Sequence, residues 1–313
     1  MQLQRDTSLA RSALSGAYVA LAVLSALSAV GCQDPDPPCN VYDVRGYWGR
    51  IPAELGFSRE EILTLDTLGA LDEALDIRGA FLHARCRVTY DFIIQGSQGA
   101  YEDDLPRSSD IATTCAALAA LIGRFRADHP NALDGVHATG APECAVDYQR
   151  YLQDVAYCTG SEDLDASALS CSSTTRLCAD PQDEGETCLE CEGELSYAGL
   201  SEACTVVLAA RAALTARCPD RVVAGPTEPT EGQELATRSI MRVFEELPAM
   251  LDKDALLIDH VESVQRDLDR TLRRSRVRAC QEPANATLEE ALAQLRVNAA
   301  SMRGVLDALG ESE

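Results

Sequence analysis

The chain has 313 residues and a formal net charge of −23 at pH 7, with one lysine, Lys253, beside 26 arginines. Nucleic-acid binding needs clustered basic residues that neutralise phosphates, so this charge disfavours it. A chain of this length buries a substantial core without disulfides, and we expect one large or two modest domains.

The N-terminal residues have the pattern of a secretion signal. Arg5 and Arg11 precede an apolar stretch from Ala13 to Gly31, which is followed directly by Cys32. The segment 27–32, LSAVGC, resembles the signal of bacterial lipoproteins, in which cleavage before the cysteine leaves its thiol to carry diacylglycerol. Residues 1–31 are therefore predicted to be a lipoprotein signal peptide, with Cys32 as the lipidated N-terminus of the mature chain.

The resemblance also implies a location. It places the protein in the bacterial cell envelope, held by its lipid, and Gln33 after the lipidated cysteine favours the outer membrane. An ordinary secretory signal, or an uncleaved anchor of about 19 residues, is the alternative. Because the acidic chain is repelled by anionic lipid heads, the acyl chains are its expected membrane contact.

The cysteine count agrees with an oxidising compartment. Of 13 cysteines, lipidation of Cys32 leaves an even number, enough for six disulfides. The predicted disulfide cysteines are Cys39, Cys86, Cys115, Cys144, Cys158, Cys171, Cys178, Cys188, Cys191, Cys204, Cys218 and Cys280.

Two cysteine pairs repeat one spacing. Cys144 and Cys158 are separated by the same number of residues as Cys204 and Cys218, which is about 21 Å along a helix, so neither pair can close on itself. Two packed helices stapled at both ends would satisfy all four cysteines. The staples are Cys144–Cys218 and Cys158–Cys204 if the helices are antiparallel, and Cys144–Cys204 and Cys158–Cys218 if they are parallel.

Helical periodicity dominates the mature chain. Ser58 and Glu61 form a capping box that predicts a helix start, and leucines continue at helical spacing to residue 75. Gly79 weakens the case for one helix through to residue 94. Further helices are predicted at about 110–128, 143–157, 201–217, 233–247, 250–279 and 288–309, with Pro248 stopping or kinking the chain.

Strand signals are nearly absent, so we expect an all-α fold. In it, a disulfide-stapled helical domain is followed by a C-terminal helical segment packed on it. The predicted order is the signal peptide (1–31), a proline-rich tether (32–40), a cysteine-rich helical domain (41–219), a linker loop (220–232) and a C-terminal helical region (233–313).

The cysteine-rich region invites metal and redox hypotheses. The Cys188-Leu-Glu-Cys191 spacing suits a thiol-redox pair, but flanking glutamates disfavour the thiolate, so structural disulfides are predicted. A four-thiolate zinc site from Cys178, Cys188, Cys191 and Cys204 is the alternative. The loop 180–186 fails as an EF-hand because Cys191 occupies the position of the bidentate glutamate, which leaves weak calcium binding open.

No catalytic residue, cofactor or metal ligand is predicted. The four histidines form no HExxH motif, and the signatures of common hydrolases and nucleotide enzymes are missing. One basic run lies on a predicted helix, and it either pairs with the protein's own acidic surface or docks an acidic partner or a phospholipid head group. Its residues are Arg266, Arg270, Arg273, Arg274, Arg276 and Arg278, and the first four are the candidate docking residues.

We therefore expect a membrane-anchored envelope lipoprotein that acts as a binding or scaffold component, with another envelope protein as its partner. The alternative is an envelope enzyme that uses carboxylates around His129 and His137. A pocket joining a histidine to carboxylates would favour the enzyme, whereas an apolar or basic groove would favour binding.

Overall fold

The computed structural model of the protein describes residues 59–139, 143–179, 187–225, 233–272 and 281–310, all of which belong to one compact unit. Several predictions lie outside these residues: the signal peptide, Cys32, the tether with Cys39, Ser58, the loop 180–186, most of the linker, Arg273, Arg274 and Cys280. The backbone of Arg270 is described, but its side chain is not.

Six helices are present in the described residues. They are α1 (Arg59–Gly96), α2 (Ile111–Asp128), α3 (Tyr148–Thr159), α4 (Glu202–Thr215), α5 (Glu234–Leu272) and α6 (Gln281–Leu309). Side-chain caps fix three of the starts: Asp110, Asp147 and Ser201 accept from backbone N–H groups in the first turns of α2, α3 and α4. A mainly helical, disulfide-containing fold is thus confirmed.

The two longest helices continue past residues that weaken helices. Gly79 lies inside α1, and a Cβ there would make an ordinary van der Waals contact with the Ile111 side chain at the start of α2. Pro248 lies inside α5, which excludes the predicted stop there. Leu247 and Ala249 on either side of it are buried, so packing holds the helix across the missing backbone donor.

Two apolar clusters are formed by buried side chains within the described residues. The larger is formed by α1, α2, α5 and α6, with Phe125, Ile240 and Met302 among its buried side chains. The smaller lies where α3 and α4 meet the start of α1, around Leu63 and Val155. Helix α1 contributes side chains to both clusters.

Seven short strands, of two to five residues each, show that the all-α expectation is wrong in part. They are β1 (His137–Thr139), β2 (Val146–Asp147), β3 (Leu169–Cys171), β4 (Thr175–Ala179), β5 (Thr187–Cys191), β6 (Leu195–Tyr197) and β7 (Val222–Ala224). All their pairings are antiparallel: β1 with β7, β3 with β6, and β2 and β4 on either side of β5. Strands this short carry too few residues for an alternating pattern.

Five disulfides join the described cysteines. Cys86–Cys115 links α1 to α2, and the other four are nested one inside the next along the chain: Cys144–Cys218, Cys158–Cys204, Cys171–Cys191 and Cys178–Cys188. The outer two staple α3 to α4 in the antiparallel arrangement. The innermost joins residues that face each other across β4 and β5.

Candidate binding site

Four large apolar side chains stand exposed in one line on α1. Ile77, Phe81, Val88 and Phe92 keep 62%, 47%, 42% and 37% of their surface accessible. At 100° per residue they fall within about 60° of the helix circumference and span roughly 22 Å along it. We call these four residues the α1 stripe.

The α1 stripe is comparable to the largest apolar patch of a typical monomer. At about 200 Å² for a large side chain, its exposed area is about 380 Å², within the range of about 300–600 Å² in which the largest patch is often functional. Ala80 and Ala84, both exposed, lie between the large side chains and leave shallow gaps. The surface is therefore a row of knobs and holes, which suits a second helix.

Charged side chains border the α1 stripe on the side of α5. Arg85 lies over the Phe81 ring at 5.5 Å and pairs with Glu246 of α5 at 2.5 Å, and Arg242 shares that glutamate at 3.0 Å. Arg78 donates to the buried Asp254 and to the Met250 carbonyl. Arginines outnumber carboxylates here, so this edge is basic within an acidic protein.

The opposite edge of the stripe is acidic. The Arg87 guanidinium forms ion pairs with two carboxylates, those of Asp91 at 3.0 Å and Asp103 at 3.6 Å. Two carboxylates thus face one guanidinium, which gives the stripe edges of opposite charge.

The same face of α1 continues, toward its N-terminus, into a cleft of about 230 Å³ between α1, α3 and α4. We call it the α1 cleft. Its apolar lining comes from Ala70, Ala74 and Ile77 of α1 and Leu214 of α4. Its polar lining is Glu73, Arg150, Asp154, Arg211 and Thr215.

Two arginines of the α1 cleft differ in their partners. Arg211 pairs with Asp66 and with Asp154, the latter at 2.9 Å, and these carboxylates raise its pKa against the effect of burial. Arg150 is exposed, and no ion pair joins its guanidinium to any residue in the described ranges. The cleft therefore places the carboxylates of Glu73 and Asp154 beside the guanidinium groups of Arg150 and Arg211.

The side chain of Lys253 lies beside the C-terminal end of α4. Its ammonium donates to the carbonyl of Ala216, which follows the cleft residues Leu214 and Thr215. Burial, followed by the positive charge of Arg78, lowers the pKa of Lys253 to about 8; Asp254 opposes this effect and Arg150 adds to it. The single lysine of the chain is thus held close to other cations.

The predicted zinc alternative does not assemble, because Cys191 pairs with Cys171 and Cys204 pairs with Cys158. Cys178 and Cys188 lie within metal-ligand distance of the Asp147 carboxylate. Their sulfurs are joined to each other, however, and a thiolate is the form of cysteine that binds metals. We therefore interpret this cluster as the Cys178–Cys188 disulfide lying beside Asp147, the residue that caps α3.

The histidines named in the enzyme hypothesis have other partners. His129 Nδ1 contacts the Gln233 amide at 2.7 Å, and His137 Nδ1 contacts the Gly135 carbonyl at 2.8 Å. Neither ring has a carboxylate partner within the described part of the chain. His83 contacts the Ser109 carbonyl, while burial lowers the pKa of His260.

The basic run is described only at its first residue. Arg266 is exposed and donates to the Glu262 carbonyl, in an open depression of about 550 Å³ between α5 and α6. Glu262 also pairs with Arg296 at 3.0 Å, and Glu289 lines the same depression. Charges of both signs balance here, which favours surface pairing over docking for Arg266.

Sequence reasoning missed both the α1 stripe and the α1 cleft. The 4-7-4 spacing of the stripe residues is visible in the sequence, but α1 also carries buried leucines, and only the packed structure separates the exposed line from the core. No protein-family model, curated protein or solved structure matches this chain. Within the described residues, no helix has both the length and the apolar character needed to cross a membrane.

Proposed function

We propose that this protein is an envelope lipoprotein, anchored through Cys32, whose disulfide-stapled helical domain binds an amphipathic helix of another envelope protein along the α1 stripe. The observation that carries the proposal is the exposed line of Ile77, Phe81, Val88 and Phe92. The stripe is straight, ridged and about four helical turns long, so a helix fits it better than an extended strand or a small ligand.

The edges of the stripe define the partner's charges. The α5 edge is basic and the Asp91 edge is acidic. A partner helix with acidic residues on one flank and basic residues on the other would match both edges, which gives orientation as well as affinity.

A second copy of the chain fits less well. About 380 Å² of apolar surface is well below the roughly 800 Å² per partner of a standard interface. Antiparallel pairing of two α1 helices about a two-fold axis would also bring like-charged edges together. In addition, two chains that each carry a net charge of −23 repel each other.

The anchor is tested first. Cys32→Ser should leave the protein unprocessed or release it from the membrane fraction, because the lipid is the proposed membrane anchor. Unchanged membrane retention, with cleavage at another residue, would contradict the anchor and leave the binding face untouched.

The binding face is tested by site-specific photo-crosslinking in intact cells. A photoreactive phenylalanine analogue placed at Phe81 should give one discrete product with another envelope protein, and mass spectrometry should locate the link in an amphipathic helix. A second substitution, Val88→Asp, should lower the yield about tenfold or more, because it buries an unpaired carboxylate in the interface.

Val297 supplies the matched control, since it is a valine on helix α6 with the same 42% exposure as Val88. Val297→Asp should leave the crosslink at position 81 unchanged. A product at twice the mass of the chain would mean a second copy, and crosslinks to lipid alone would mean a membrane contact. Either result contradicts the proposed partner.

A further inference from the structure

The line of side chains on α1 does not end with the α1 stripe. Ala70 lies seven residues before Ile77 of the stripe, and it has the same position in a heptad repeat. Ala74 lies likewise seven residues before Phe81. At 100° per residue, both alanines and the four stripe residues fall within about 60° of the helix circumference. We call these six residues the α1 seam, which runs roughly 33 Å along α1 from Ala70 to Phe92.

The α1 seam changes from small to large side chains along its length. Its N-terminal part consists of Ala70 and Ala74, which line the α1 cleft, whereas the stripe residues are large and exposed. In a well-packed pair of helices, large side chains on one helix face small ones on the other. A straight helix lying along the seam therefore presents its smaller side chains to the stripe and a large one to the cleft.

The lining of the α1 cleft defines the chemistry of that large side chain. The cleft volume of about 230 Å³ lies below the roughly 300–1,000 Å³ of small-molecule pockets, so it suits a single side chain. One wall is apolar, and the other carries polar groups of α3 and α4. Two carboxylates and two guanidinium groups line the cleft, so neither sign of charge is favoured. An uncharged side chain with an apolar body and a polar tip matches both walls.

We propose that a tryptophan of the partner helix inserts into the α1 cleft and fixes the register of that helix on the α1 seam, an inference that rests on the proposed function. The ring lies against Ala70, Ala74 and Leu214, and the indole N–H donates to the Asp154 carboxylate. Arg211 contacts Oδ1 of Asp154 at 2.9 Å. A carboxylate accepts several hydrogen bonds, so Oδ2 can accept the indole N–H. Tryptophan is among the residues that dominate binding energy when they fill a pocket at an interface.

The cleft is tested first without the partner, on the full-length protein in neutral detergent. Ring-fluorinated N-acetyl-L-tryptophanamide should bind saturably, which broadens its fluorine NMR signal. Its N-methylindole analogue should bind about threefold more weakly or worse, because Asp154 then loses the donor. Equal binding of this analogue would overturn the inference. Tighter binding of N-acetyl-L-tyrosinamide or N-acetyl-L-argininamide, measured by competition, would overturn it as well.

Ala74→Trp fills the cleft from α1 itself. It should abolish saturable binding of the tryptophan amide and lower the yield of the crosslink at Phe81 about tenfold or more. Ala293→Trp is the matched control, because Ala293 lines the separate depression between α5 and α6, and it should change neither result. Far-UV circular dichroism and thermal melts of each variant show that its fold is intact. Unchanged binding of the amide to Ala74→Trp would place the probe outside the cleft and overturn the inference.

The register is tested by a second crosslink in intact cells. The photoreactive phenylalanine analogue at Arg150, an exposed residue of the cleft, should join the same protein as the analogue at Phe81. Mass spectrometry should place the two links about seven to eleven residues apart in one helix, with a tryptophan beside the link from position 150. A link from position 150 to another protein, or to a segment without tryptophan, overturns this inference and leaves the product at Phe81 in support of the proposed function. The absence of any product at Phe81 contradicts the proposed function, whatever the cleft binds.

Discussion

Replacing Asp254 with alanine should strongly destabilise the protein. The Asp254 side chain is 1% exposed and accepts from Arg78, which is itself 14% exposed and joins α1 to α5. Without that carboxylate, Arg78 retains the Met250 carbonyl, while its Nε already has no hydrogen-bond partner. An uncompensated buried cation of this kind typically costs about 3–5 kcal/mol.

Removing both charges should cost far less. Burial raises the pKa of Asp254 more than Arg78 lowers it. A carboxyl with a raised pKa contributes stability below its unfolded pKa of 3.8 and loses it as the pH rises through the folded value. The ionised pair is therefore not a net gain at neutral pH, and Arg78→Met with Asp254→Leu should be within about 1 kcal/mol of wild type or more stable.

Urea unfolding followed by far-UV circular dichroism, with disulfides intact, measures these differences. Asp254→Ala should lower the free energy of unfolding by about 3–5 kcal/mol. In a thermal melt of the same variant this corresponds to a decrease in melting temperature of roughly 6–20 °C, at about 2–4 °C per kcal/mol for a domain of this size class. Asp252→Ala, at an exposed position in the same helix, is the control and should change stability by less than about 0.5 kcal/mol. The reasoning is refuted if Asp254→Ala matches this control, or if the double variant is as unstable as the single one.

Two further predictions concern oxidation and acid. All cysteines except Cys32 should be oxidised. The ten cysteines in the described residues pair among themselves, so peptide mapping should find Cys39 joined to Cys280. Two free thiols per denatured, unreduced chain would contradict this. Burial lowers the pKa of His260, and the charges of Asp259 and Glu194 oppose this shift only in part. The free energy of unfolding should therefore fall as the pH drops below 6.5. His260→Leu should flatten that part of the pH–stability curve, and an unchanged slope would exclude His260 as the cause.

Local signals in the sequence predicted most helices because the cap and the periodic run lie next to each other. Asp110 and Ser201 mark the starts of α2 and α4 as expected. The start of α3 was misplaced, because residues 145–147 instead pair with Arg217 and with β5, partners distant in the chain. Such pairings leave no local pattern.

The same reason explains why the candidate site was not predicted. The α1 cleft brings together Ala70, Arg150 and Arg211, which are far apart in the sequence. In a chain with 50 acidic residues, the sequence gives no way to tell which arginines find carboxylates. Only the packing of α1 against α3 and α4 shows that Arg211 pairs with Asp66 and Asp154.

The nesting of four disulfides has a consequence for how the chain matures after export. Their sequence separations are 10, 20, 46 and 74 residues, and no bond crosses another. Oxidation from the inside outward lets each bond shorten the free loop that the next must close, so the outermost closes an effective loop of about 30 residues and not 74. In the reverse order, each bond would have to close the full loop between its two cysteines. The hairpin of β4 and β5 is therefore the natural place for oxidative folding to begin. The natural last step is the Cys144–Cys218 bond, which joins the residues just before α3 to those just after α4.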